Sequence, residues 1–390
     1  MSNLLLVRQG ALANWGGIGV LVFLCGAWVL PSNKLYHQLI ILFLWLPTLL
    51  ALFHRPFRSL LVQPEVLLFG ALSLWTLLVL WLEGGGSVSK AKLPVYVALT
   101  LFGMVLAASS NRMRLESLLL IAVLVGGACA TLSVIYYYLI AEHHSGRLIA
   151  IGLWDKVIMA AHGVGALAVI GAVLFGDGRH KPGLTAALIV AALGYALFLG
   201  LSQTRGVWIA LCATLIAMIC ALPTRKGFLV IFLVALSVAC VALVNPDILL
   251  QRGLSYRPTL WSGGVRLMLD NWLWGVGFKQ YEILVPAIGK IFQHPHNFFL
   301  DTGVRLGVPG LLLFCSLWAA TAVRGWQNRS EPLGRALLAL WVFSSVSLMT
   351  DGIGLWLKPN ADWLITWLPV SFAMVLGARR SASHDPAARP

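Results

Sequence analysis

Residues 293–310 read QHPHNFFLDTGVRLGVPG, so two histidines, an asparagine, an aspartate and an arginine gather at the mouth of an apolar run. Pro295 at a first helical position, followed by Asn297 and apolar residues, predicts a helix opening there. Its unpaired N–H groups and positive dipole end then face water, an arrangement that attracts anions. His296 falls in the first turn, where an imidazole can accept a proton from a hydroxyl, with His294 and Asn297 beside it. The same residues also suit polar caps at a water interface, and spacing does not choose between the two roles. A zinc site is disfavoured, because His294 and His296 have no third ligand at a familiar spacing. Asp301 and Arg305 stand four apart and can pair along one helix face, which reads as structural.

Four arginines extend the constellation. Arg205, in LSQTRGVWIA, lies in a connection between two apolar runs too short to carry its charge far from a membrane. It must meet water, a headgroup or an anionic substrate. Arg257 and Arg266 occupy one long segment, LSYRPTLWSGGVRLML, and Arg147 follows Glu142, His143 and His144. Each alone reads as surface solvation or lipid contact. Gathered on one face, they would form a phosphate clamp, since guanidinium grips phosphate oxygens bidentately. Carboxylates number only 14 and none stands in a DxD pair, so a diphosphate-binding Mg²⁺ or Mn²⁺ site has no evident ligands. Walker, GxSxG and GxGxxG signatures in a meaningful context are lacking too.

The elements that must position these groups are membrane spans. Of the 390 residues 59% are hydrophobic and 11% charged, and the mean hydropathy is +0.86. That composition excludes a water-soluble domain and predicts an all-α polytopic membrane protein. Twelve stretches are long enough to span: 15–30, 35–53, 64–82, 93–109, 115–141, 157–175, 183–201, 206–222, 227–244, 297–322, 334–350 and 361–378. The first lacks a cleavage site and reads as an uncleaved anchor. The six cysteines fall inside apolar stretches and read as small buried hydrophobes.

With the N-terminus in the cytoplasm, every cytoplasmic connection carries Lys or Arg, as the positive-inside rule requires. Arg324, Arg329 and Arg335 are one example, and Arg379, Arg380 and Arg389 in a cytoplasmic tail, 379–390, are another. The chain reads as one integral membrane domain, 1–390, interrupted by a periplasmic loop at 245–296. Pro246, Pro258, Pro286 and Pro295 punctuate that loop. Trp261, Trp272 and Trp274 predict short helices lying at headgroup level. Arg252, Arg257, Arg266, Lys279, Lys290 and Arg305 lie in or just after it, although topology does not need them there.

In order along the chain, TRG (204–206), RPTLW (257–261), GVGF (275–278) and HPHNFFLDTGVRLGVPG resemble the O-antigen ligase and polymerase superfamily. The resemblance implies a GT-C-like inner-membrane fold and an inverting glycosyltransferase that needs no metal or cofactor. It implies a donor glycan on undecaprenyl diphosphate and a periplasmic acceptor, which is lipid A-core for a ligase and another glycan for a polymerase. A protein hydroxyl is the acceptor in related oligosaccharyltransferases. It makes His296 the catalytic histidine, Arg205 the span-opening arginine and Arg257 the loop arginine; Arg147 and Arg266 match less distinctively. The single long loop and short tail favour the ligase. Membrane lipids, and no nucleic acid, complete the expected partners. A lipid or solute transporter is the rival of another class, and it requires charges near the bilayer midplane and paired broken helices in two similar halves.

Overall fold

The computed structural model describes residues 2–53, 62–83, 88–142, 146–154, 156–176, 180–223, 256–352 and 354–384. The expected ninth span, 227–244, lies outside the described residues, as do the start of the long loop and the basic residues Arg55, Arg58, Arg225 and Arg389. Helices α1 (Ser2–Val29), α2 (Asn33–Ile40), α3 (Leu46–Ala51), α4 (Pro64–Leu82), α5 (Leu93–Ala108) and α6 (Leu115–Ile135) build the first part. A π-helical turn, Ile41–Trp45, joins α2 to α3, and another, Tyr136–Ile140, ends α6. Then come α7 (Val157–Phe175), α8 (Pro182–Leu201), α9 (Arg205–Ala221), α10 (Arg257–Asp270), α11 (Phe298–Gln327), α12 (Pro332–Thr350) and α13 (Trp363–His384).

Among the described residues eight helical segments are long and apolar enough to cross a membrane, and α5 and α9 are shorter apolar helices. Proline at the first or second position opens α4, α5, α8 and α12, where its missing N–H costs no intrahelical bond. Helix α13 is buried on every side from Trp363 to Gly377 and packs against α5, α11 and α12. Being apolar all round, it belongs in the centre of the bundle. Helix α8 instead presents Ile189, Val190, Leu193 and Leu197 outward, a face suited to lipid.

The long segment departs from the all-helical expectation. Its described residues, from 256 on, hold one helix, α10, and a two-stranded antiparallel hairpin, β1 (Ile283–Val285) with β2 (Lys290–Phe292). Strands of three residues are too short to show an alternation that sequence could reveal. Leu260 of α10, Tyr281, Ile283 and Val285 of the hairpin, and Leu300 and Val304 of α11 form a small core of their own. The segment is therefore a cap fastened to the first turns of α11.

Helix α11 is the element on which the cap bears. It starts at Phe298 with Asn297 as N-cap, so Pro295 lies three residues before the first helical position, where the sequence had placed it. It is also broken: Gly307 has φ 68° and ψ −178°, a backbone that residues with a side chain scarcely adopt, and Pro309 follows. The groups freed by the break are satisfied from outside. Leu306 O accepts from Trp75 Nε1 at 2.8 Å, Val304 O from Val276 N at 2.8 Å and Arg305 O from Gly277 N at 3.0 Å, while Val308 N donates to Trp272 O at 2.7 Å.

Candidate active site

The GVGF stretch thus braces the break in α11. Gly275 and Gly277 have φ of 70° and 69°. A β-carbon at Gly275 would stand 2.4 Å from the Arg305 carbonyl, so only glycine allows this approach. Beyond it, Phe278 N donates to Glu83 Oε1, and Lys90 Nζ reaches Phe278 O at 3.3 Å. The span-like helix begins anew after Gly307, and the piece before it, 298–306, belongs with the cap.

That piece holds His296 at its mouth. Asn297 caps it, its Oδ1 accepting from Leu300 N at 3.1 Å. His296 has φ 52°, the left-handed region, at a cost on the order of 1–2 kcal/mol. The turn aims its ring at Asp351, the residue that ends α12, with Nδ1 and Oδ1 2.9 Å apart. The His294 ring lies 4.0 Å from that of His296, centroid to centroid, and its Nδ1 is buried without a partner among the described residues. Burial, and then the neighbouring His296, push the His294 imidazole down to about 4, so it is neutral near pH 7.

Asp351 is held in the opposite sense. Burial alone would raise its pKa. The His296 hydrogen bond, the nearby imidazoles of His162 and His296, and the Gly352 N–H at 2.9 Å outweigh that and hold it at about 2. An ionised carboxylate only accepts. His296 Nδ1 therefore donates, and in the neutral ring Nε2 is the nitrogen left with a lone pair. Behind this pair a second one is buried, His162 Nδ1 with Asp362 Oδ1 at 3.1 Å.

The arginines reach the site by different routes. Arg147 donates from Nε to Ser202 O and from Nη2 to Thr204 Oγ1, both at 2.9 Å, and so holds the turn from which Arg205 opens α9. The next residue, Gly206, lies against α12: a β-carbon there would meet Thr350 Oγ1 at 2.4 Å. The TRG turn consequently abuts the residue preceding Asp351. Arg257 opens α10, whose Gly264 faces Leu300 and Pro295. Arg266 is exposed, and nine residues at about 100° each set it half a turn from Arg257. Asp301 and Arg305 pair at 3.0 Å; Asp301, fully buried, also accepts from Tyr281 Oη and, at 3.0 Å, from Gly354 N. That supports their structural reading.

Sequence spacing offered no partner for His296, yet the fold supplies Asp351 from 55 residues away. A signal was present, since MTDG at the end of a span holds one of only 14 carboxylates in the chain. The zinc argument needs the same correction. His294, His296 and Asp351 bring ligand atoms within 4.8 Å of one another, so the missing third ligand exists in space. Two imidazoles and a carboxylate are a set that zinc accepts, although a metal there would have to displace the His296–Asp351 hydrogen bond.

Comparison with known proteins bears on the family. Residues 187–315 match the O-antigen ligase family. An O-antigen ligase of Pseudomonas aeruginosa is 27% identical over 375 residues, covering 94% of this chain and 92% of its own length. The resemblance read from the motifs is thereby shown. Arg205, Arg257, Arg266, His294, His296 and Asn297 all lie within the matched residues; Arg147 and Asp351 lie outside them.

Proposed function

We propose that this protein is an O-antigen ligase, an inverting glycosyltransferase that moves O-antigen polysaccharide from undecaprenyl diphosphate to lipid A-core at the periplasmic face of the bacterial inner membrane. The observation that carries the reading is the His296–Asp351 pair, in which the carboxylate accepts the Nδ1 hydrogen bond and leaves Nε2 of the neutral ring for the acceptor hydroxyl. An acceptor hydroxyl gives its proton to Nε2 as its oxygen attacks the anomeric carbon from the side opposite the leaving group. The bond from C1 to the phosphate oxygen breaks, and its electron pair leaves on the diphosphate. Charge grows there in the transition state, so cations fixed in advance lower the barrier. Arg205 and Arg257 are assigned to that diphosphate; Arg266 stands half a turn from Arg257 on α10 and is not assigned to the same phosphates. Arg147 acts mainly by fixing the turn at Arg205.

The test is ligation in detergent with purified protein, undecaprenyl-diphosphate glycan and lipid A-core, read by gel mobility. His296→Ala should lose roughly 10²- to 10⁴-fold in rate, the usual contribution of a general base. Full activity of that variant would sink the assignment. The mechanism needs no metal, so activity should survive EDTA; a loss that Zn²⁺ reverses would give His294, His296 and Asp351 to a metal instead. In cells, deletion should abolish the long-chain lipopolysaccharide ladder while lipid-linked polymer accumulates. Single repeats still joined to the core would mark a polymerase, and uptake of a labelled solute without covalent product would mark a transporter.

A further inference from the structure

Apart from the His296 site, the connection from Asp351 to Asp362 shapes a second cavity. Its two ends are pinned by His296–Asp351 at 2.9 Å and His162–Asp362 at 3.1 Å. Between them Gly354 N bonds Asp301, Trp356 Nε1 donates to Thr76 Oγ1 at 2.8 Å, and Pro359 O meets His37 Nε2 at 3.1 Å. So many fixed points make a preformed surface. Against it lies the start of α2, and the two enclose a cavity of about 670 Å³. Asn33, Lys34, His37, Gln38, Lys358 and Asn360 supply its polar wall.

The chemistry of that wall is selective. Among the described residues lining it there is no carboxylate, so Lys34 and Lys358 face the cavity with no counter-ion in its wall. The amides of Asn33, Gln38 and Asn360 offer both donors and acceptors, the pattern that sugar hydroxyls meet. Asn360 Oδ1 is buried behind that wall without a hydrogen-bond partner among the described residues, an acceptor still to be satisfied. A phosphate or carboxylate among hydroxyls fits two ammonium groups set among amides. Its wall at 357–360 belongs to the connection that begins at Asp351, the residue that orients His296, and both ends of that connection are fixed.

We propose that this cavity binds an anionic saccharide, the phosphate- or carboxylate-bearing part of the acceptor, and so presents the acceptor hydroxyl to His296. The proposal rests on the ligase reading above and names the acceptor's subsite within it. Lys34 and Lys358 are exposed, so their removal should leave folding intact.

The experiment uses full-length protein in zwitterionic nanodiscs, titrated calorimetrically with phosphate-bearing core oligosaccharide. Lys34→Ala/Lys358→Ala should bind roughly five- to tenfold more weakly, as expected for two partly exposed ionic contacts. Phosphatase-treated oligosaccharide should bind wild type no better than it binds the double variant. In ligation assays the variant's acceptor KM should rise by the same factor with kcat and donor KM unmoved. Equal binding by wild type and variant, or a shift in donor KM alone, overturns the proposal. Competition by phosphatidylglycerol vesicles with no dependence on the saccharide's phosphate also overturns it, since a lipid headgroup is then the occupant. Protein that binds the oligosaccharide through these lysines but never ligates it defeats the ligase reading while leaving the cavity's specificity standing.

Discussion

A proton leaving an acceptor hydroxyl has somewhere to go only because Asp351 fixes which nitrogen of His296 is free. Asp351→Asn replaces an obligate acceptor by a group that can also donate, so the ring loses its enforced tautomer. Ligation should fall by at least about tenfold and by no more than His296→Ala loses, since Asp351 acts through the histidine. Wild-type kcat in the asparagine variant would remove Asp351 from the mechanism. His294 gives a separate prediction, in pH. Its folded pKa is near 4 against an ordinary 6.5, so between those values the unfolded chain binds a proton that the folded chain refuses. Stability is therefore full above pH 6.5 and declines as pH falls toward 4. Melting temperature should drop across that window more steeply in wild type than in His294→Asn, and parallel profiles would show that His294 is not buried neutral.

Among the elements, α11 does what no straight span does, turning through a glycine so that its first turns join the cap and the rest crosses the bundle. Gly307→Ala puts a methyl 2.4 Å from Leu273 O on a backbone near φ 68°. Strain of this kind typically costs about 1–3 kcal/mol before any clash is counted. The variant should melt several degrees lower in detergent and lose ligation along with it, because the cap and His296 move together; unchanged melting would mean the break is not fixed by this residue. Of this element the sequence disclosed the ordered motifs and the His-to-Gly spacing, but not the break. A 3.6-residue periodicity continues through a single glycine, and the bonds that define the break come from Trp75 and residues 272–277, distant in the chain. The hairpin was hidden by its brevity. Arg205 at the opening of α9 was legible because a cation beside two apolar runs has few places to go. Asp351 was not, since only the tertiary fold makes it a neighbour of His296.

At the scale of the molecule, the ends of the helices sort into two sets. His296, Asp351, Arg205, Arg257, Glu83 and the cavity at Lys34 and Lys358 belong to one end. At the other, Arg324 grips Glu65 through two bonds of 2.7 and 3.0 Å, and Arg379 meets Glu116 at 3.2 Å. Helix α11 runs from the first set to the second, and α4 and α13 connect the same two ends, so the partition holds independently along several elements. Basic side chains gather at the Arg324 end, and the orientation proposed above puts that end in the cytoplasm and the His296 end in the periplasm. The spans expected from hydropathy give this alternation through Arg205; the stretch 227–244 is outside the described residues. The prediction is testable in intact cells with a membrane-impermeant maleimide on a cysteine-free background. Lys358→Cys should label from outside the inner membrane, and Arg329→Cys only after that membrane is permeabilised. The reverse pattern would turn the site toward the cytoplasm, where no lipopolysaccharide acceptor waits in the outer leaflet; labelling of both from one side would mean that α12, which lies between them, does not span.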